Sequence, residues 1–316
     1  MAVGNWQSEI KPYHTHAEGT PPLSSPDNPQ FEPQASAEPQ ASTPSARDPF
    51  SPASVVPLSG LPLPAPPAEN PVWTGWDVLA IAALTFVTMV VLHFAGAKVA
   101  QLRWYPRERF VDALQAVEQL PIFQIASQFL LYIPWALYMI MTVEGKYRVP
   151  FWRAISWNWP RARWWLIGLG AATLIVLTLL QNLLPMPKHT PFEHLFDRPR
   201  DAYLISIIAV TLGPLLEELF FRGLLYPVLA RRMGVVWGII LTALPFGLIH
   251  LPQYGDAWAV GLVIFLVGVV CGAVRAATKS VAASFLVHVG YNATDMLLMM
   301  LATDGFRHLE KAIITL

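Results

Sequence analysis

Three short motifs in the second half of the chain carry side chains suited to hydrolysis. They are Glu217-Glu218-x-x-x-Arg222 in LLEELFFRGLL, Phe246-x-x-x-His250 in PFGLIHLP and His288-x-x-x-Asn292 in FLVHVGYNATD. A spacing of four puts both ends of a motif on one helix face. Glu218 and Arg222 are therefore expected to pair. Glu217 is turned about 100° from Glu218 on a helix of 3.6 residues per turn, so it is left without a local partner. Each motif sits in an apolar stretch, where an ionisable side chain is costly and marks function by default. Taken singly, each has a bland reading: a buried ion-pair staple, a core histidine, an asparagine that ties helices together by hydrogen bonds. Taken together, a carboxylate, two imidazoles and an amide can converge on one pocket. The carboxylate of Glu217 would act as general base on water, one imidazole would hold that water, and the other with the amide would donate to an oxyanion. Ser284 and Cys271 are not placed as nucleophiles, so attack by activated water is the economical route. No cofactor is required for it. A metal version uses Glu217, His250 and His288 on Zn²⁺ with water in the fourth position, without the compact H-E-x-x-H spacing of common zinc proteases.

The surrounding chain is expected to hold these groups inside a lipid bilayer. It has 316 residues, of which 54% are hydrophobic and 13% charged, with no net charge and a mean hydropathy of +0.43. Soluble domains carry about 25% charged residues. The balanced charge excludes the basic footprint of a nucleic-acid partner. Apolar runs of spanning length fall at 77–97, 122–143, 164–184, 203–230, 235–251, 258–277 and 281–302, which predicts about seven transmembrane helices in an all-α polytopic bundle. Trp73, Trp76, Trp104, Trp164, Trp165, Trp237 and Trp258 lie near the run ends, where an interfacial aromatic belt is expected. The spacing of Phe110, Val111, Leu114 and Val117 predicts an amphipathic helix within 107–120. Gly213-Pro214 is expected to open a new helical section, with both glutamates near its N-terminus. Lys and Arg in the loop 144–163 argue for a cytoplasmic loop and a cytoplasmic N-terminus.

Composition divides the chain into four parts. Residues 1–71 hold sixteen of the 29 prolines with much Ser, Ala, Glu and Gln, and predict a disordered tail. The first residues lack the cationic and apolar regions of a cleaved signal peptide. Residues 72–159 supply N-terminal membrane helices and a basic loop, 160–302 the motif-bearing helices, and 303–316 a C-terminal tail. The single cysteine, Cys271, permits neither an internal disulfide nor a thiolate cluster and reads as a small packing residue.

In order and context, the three motifs resemble the CAAX protease and bacteriocin-processing family of intramembrane proteases, which includes the CAAX prenyl endopeptidases. The resemblance covers roughly residues 160–302, and the continuation EELFFRGLLYPVL shares it. It implies a helical peptidase integral to the membrane, the plasma membrane if the chain is bacterial. Its partners would be the lipid bilayer and a peptide or prenylated peptide substrate, CAAX-type or related to a bacteriocin. By position, the resemblance gives Glu217 the water-activating role with Glu218 and Arg222 in support, His250 the water-orienting role, and His288 and Asn292 the oxyanion. Both glutamate-type and zinc-dependent forms are implied. The competing expectation is a non-enzymatic membrane protein, a transporter or an immunity-type scaffold. Against transport, the two halves show no inverted repeat.

Overall fold

A computed structural model describes residues 69–309 apart from 119, 162 and 188. The expectation of a disordered tail concerns, up to residue 68, positions outside the described residues, as do the last residues of the C-terminal tail. Among the described residues every regular element is helical. The long elements are α1 (Gly75–Trp104), α3 (Pro121–Ile140), α5 (Arg163–Gln181), α10 (Trp258–Thr278) and α11 (Val281–Ala302). Shorter ones are α2 (Phe110–Glu118), α4 (Phe151–Ala154), α6 (Pro199–Val210), α7 (Leu212–Glu218), α8 (Tyr226–Met233) and α9 (Val235–Leu248). A π-helical turn, Met141–Lys146, extends α3, and a second, Leu219–Leu225, joins α7 to α8.

Among the described residues six helical stretches are long and apolar enough to cross a membrane, with Pro199–Met233 counting as one. The seventh expected crossing is the short α9. Its 14 residues rise only about 21 Å at 1.5 Å per residue, against a hydrocarbon core of about 30 Å. The chain is an integral multi-pass membrane protein, and its outer surface agrees: Phe86, Val87, Leu179, Ile207, Val236 and Leu301 are all exposed. Trp76, Trp104, Trp164, Trp165, Trp237 and Trp258 are exposed near helix ends, as an interfacial belt requires. Trp73 is the exception. It is 1% exposed, and its indole N–H donates to the carbonyl of Leu224 at 2.9 Å.

Local chemistry sets the main boundaries. Thr74 caps α1 in a reciprocal box with Asp77, whose carboxylate also accepts from Lys146 and, at 2.6 Å, from the Tyr147 hydroxyl. That ties the start of α1 to the end of the α3 stretch. The expected break before the first motif falls at Thr211, and Pro214 is the third residue of α7. Glu217 and Glu218 consequently close the second turn of a seven-residue helix, at its junction with a π-helical turn, and not at a helix N-terminus. The dipole argument loses force there, because the effect fades beyond the first turn.

Small residues bring α5 and α11 into close contact. A Cβ added to Gly170 would fall 2.1 Å from the Val287 carbonyl oxygen, and one added to Gly290 would fall 2.3 Å from that of Ile167. Such approach of backbones is how membrane helices gain packing energy where lipid removes the hydrophobic drive. It fixes α11, and with it His288, against the bundle. α10 packs between α9 and α11.

Candidate active site

The π-helical turn Leu219–Leu225 follows the two glutamates, and π-turns of this kind recur at functional sites. Glu218 and Arg222 form the expected i,i+4 pair, Nη1 to Oε1 at 2.8 Å, with neither side chain exposed at all. Arg222 Nη2 donates to the Gly268 carbonyl on α10 at 2.9 Å, and its guanidinium lies 4.6 Å from the Phe246 ring centroid. The second oxygen of Glu218 accepts from the Ser284 hydroxyl of α11, which also reaches the Cys271 carbonyl. Glu218 thus ties its own segment to α11, and Arg222 and Ser284 extend the assembly to α10.

His288 takes its orientation from this assembly. Its Nδ1 lies 3.0 Å from Glu218 Oε1. A carboxylate facing Arg222 and a serine hydroxyl acts as acceptor, so Nδ1 carries the proton and Nε2 is turned the other way. His250 is held by a different device. Its Nδ1 donates to the Phe246 carbonyl four residues earlier at 2.6 Å, which again leaves Nε2 pointing outward. Both Nε2 atoms face Glu217, at 3.8 Å from Oε1 for His250 and 3.7 Å from Oε2 for His288. These separations exceed a direct hydrogen bond and suit groups that share one small partner. Phe246 packs against the Phe221, His250 and His288 rings at 5.2, 5.0 and 5.7 Å, filling the space behind the imidazoles.

Exposure runs in one direction through the cluster. The Glu218 and Arg222 side chains are 0% exposed and His288 5%, whereas Glu217 and His250 reach 17% and 16%. The cluster is sealed at the Ser284 and Cys271 end and open past Glu217 and His250. Tyr254 closes the 3₁₀ turn Leu251–Tyr254 that follows His250 and packs on the Phe192 ring at 5.3 Å. Burial pushes its phenol upward, and the negative charges of Asp295 and Glu217 push the same way.

The structure therefore brings together Glu217, His250 and His288, with Glu218 and Arg222 behind them. Asn292 lies one turn beyond His288 on α11, but its amide nitrogen donates to the Ala209 carbonyl of α6 at 2.7 Å. One of its two N–H groups is thus committed to a helix contact, and the second is not used by that bond. Glu217, His250 and His288 form a donor set of the type that holds zinc, with each imidazole Nδ1–H secured as outer-shell partners secure metal-bound histidines. A second group, Glu218, Cys271 and His288, also has ligand atoms close together. It suits a cation poorly, because Arg222 already neutralises Glu218.

Residues 199–294 match the family model for type II CAAX prenyl endopeptidase Rce1-like proteins. The match is confined to the site-bearing segment, less than a third of the chain. The matched span runs from the start of α6 to two residues beyond Asn292 and contains all seven named residues of the three motifs. No curated protein and no solved structure matches the chain.

Several supporting groups were not legible as such. In sequence Ser284 has only the look of an unplaced nucleophile, yet its hydroxyl bonds Glu218; its place one turn before His288 is the one local signal. The carbonyls of Gly268 and Ala209 carry no sequence signal, since every residue has a carbonyl.

Proposed function

We propose that the chain is an intramembrane endopeptidase in which Glu217 activates water for attack on a peptide bond. The observation that carries this reading is the convergence of two fixed imidazoles on one carboxylate. A water molecule bounded by Glu217, His250 and His288 would give its proton to Glu217 as its oxygen attacks the scissile carbonyl. Glu217 would then return the proton to the departing amine. His250, fixed through its Nδ1–H, would orient the water. The developing oxyanion would take hydrogen bonds from the free N–H of Asn292 and from His288 Nε2. For Nε2 to donate as well, the His288 ring must carry both protons, with the Glu217 carboxylate 3.7 Å from Nε2 as the facing negative charge. The family match supports a protease of the CAAX type, and a peptide substrate, prenylated or not, is proposed on that basis.

Glu217, His250 and His288 are also donors of the chemical type that zinc takes. If bound by Glu217, His250 and His288, it would supply Lewis-acid activation of water. The residue roles behind the donors, with Glu218 orienting His288 and Phe246 orienting His250, are the same in either case.

The test is cleavage of a peptide mixture by the reconstituted chain and by Glu217→Gln, alongside metal analysis of the purified protein. Loss of a general base predicts a fall of about 10²–10⁴-fold in turnover. Turnover by Glu217→Gln within tenfold of the unaltered chain would refute the mechanism. Stoichiometric zinc that disappears in His250→Ala would assign the metal form.

A further inference from the structure

Four cations gather around the segment that leads into α1. Arg275 is 1% exposed, and its Nη1 and Nη2 donate to the two carboxylate oxygens of Glu69 at 3.1 and 3.2 Å. Lys279 Nζ reaches the same carboxylate at 3.4 Å. Arg231 Nη1 donates to the Pro71 carbonyl at 3.0 Å. Arg232 lies beside the start of α1, where a Cβ added to Gly75 would fall 3.8 Å from its Nη1. Among the described residues Glu69 is the only acid that pairs with any of the four. Asp77, the next acid along α1, is taken up by Lys146 and Tyr147. Arg275 also keeps a buried Nε–H that has no acceptor among the described residues.

The charges in this cluster do not balance. Arg231 and Arg232 occupy the last turn of α8 and Arg275 that of α10, with Lys279 at the α10 C-cap. A helix C-terminus offers about half a negative charge. Two such ends and one carboxylate leave an excess of about two positive charges. Their depth says what can meet that excess. The cluster lies where the spanning stretch from Gly75 begins and where those reaching Met233 and Thr278 end. Trp76 and Trp237, exposed at the starts of α1 and α9, mark the headgroup level at the same end of the bundle. Leu79 and Leu244, exposed further along the same two helices, offer apolar surface to acyl chains. A guanidinium fork matches phosphate oxygens two at a time.

We propose that Arg231, Arg232, Arg275 and Lys279 form a binding site for the phosphate of an anionic phospholipid, with Glu69 as an internal anion that shares it. Glu69 holds Arg275 and Lys279 in place and opposes the incoming phosphate, so it sets the affinity. An occupied site ties together the ends of α1, α8 and α10. It does so beside Trp73, whose indole N–H secures the Leu224 carbonyl in the π-helical turn after the two glutamates. The site needs no cleavage to act and stands apart from the peptidase reading.

The test titrates the full chain in neutral detergent with phosphatidylglycerol or phosphatidylcholine and counts bound lipid by native mass spectrometry. The choline headgroup cancels the phosphate charge, which makes it the reference. Phosphatidylglycerol should bind about 25-fold more tightly, about fivefold for each excess charge. Arg232→Gln combined with Lys279→Gln should abolish that preference; Arg275 is left unaltered because it is buried. Glu69→Gln should tighten phosphatidylglycerol binding about fivefold. Arg198→Gln combined with Arg200→Gln, at the opposite end of the Pro199–Met233 stretch, should change nothing. Equal affinity for the two lipids, or an equal loss in both double variants, overturns the site. Weaker binding in Glu69→Gln overturns the shared anion. Displacement of the lipid by inorganic phosphate at the lipid's own concentration assigns a soluble anion and overturns the lipid.

Discussion

Replacing Arg222 by Met tests the claim that the buried ion pair holds the site together. The substitution keeps an unbranched stem of similar reach and removes the charge. Arg222 and Glu218 are fully buried and 2.8 Å apart, so the change leaves a buried carboxylate without its counter-charge. Breaking a buried pair from one side costs about 3–5 kcal/mol. The bond to the Gly268 carbonyl is also lost, worth only about 0.6 kcal/mol between membrane helices. The contact over Phe246 goes with it. These contributions overlap, so the expected loss of unfolding free energy is about 3–5 kcal/mol, dominated by the stranded carboxylate. Unfolding in mixed micelles measures it, and a double-mutant cycle with Glu218→Gln isolates the pair. The cycle should show a coupling of about 2–3 kcal/mol, because removing both charges strands neither. Turnover should fall about 10–100-fold with little change in KM, since Glu218 would no longer fix the His288 ring. Stability within about 0.5 kcal/mol of the unaltered protein, or a strictly additive cycle, would refute the reasoning.

Three further outcomes follow from other contacts. Trp73→Phe keeps an aromatic ring but removes the N–H that reaches Leu224 together with part of a fully buried volume, and should cost about 1–3 kcal/mol in the same unfolding assay. Gly290→Ala forces a methyl group onto the Ile167 backbone and should cost about 1–3 kcal/mol and reduce turnover, because His288 lies two residues away. Gly168→Ala, where a methyl group meets nothing within 4 Å, serves as the control that loses neither. Asn292→Ala should lower kcat by about 10²–10³-fold if its free N–H meets the oxyanion; a change confined to stability would reduce Asn292 to its contact with Ala209.

The membrane-spanning character was legible because it depends on composition over windows of about 20 residues, which needs no knowledge of what packs where. The pairing of Glu218 with Arg222 was legible for a related reason. It is a contact between neighbours on one helix, and helix geometry alone places them together. Trp73 shows where this stops. Near the end of an apolar run it has the sequence signature of an interfacial tryptophan, and its burial against Leu224 depends on a segment 151 residues away. The π-helical turn was likewise invisible, because no residue type in LFFRGLL demands it.

By itself, the sequence determined which side chains share a helix face, that those helices lie in lipid, and that Glu217 differs from its neighbour Glu218. Tertiary structure alone decided that Glu217 faces two imidazole Nε2 atoms, that Ser284 and Gly268 complete the Glu218–Arg222 pair, and that Asn292 is partly spent on Ala209. The division has a physical cause. Periodicity along one helix is fixed by backbone geometry and is written locally. Which face of one helix meets which face of another is set by close packing, here by glycines that let α5 and α11 touch, and that is a property of pairs of distant segments.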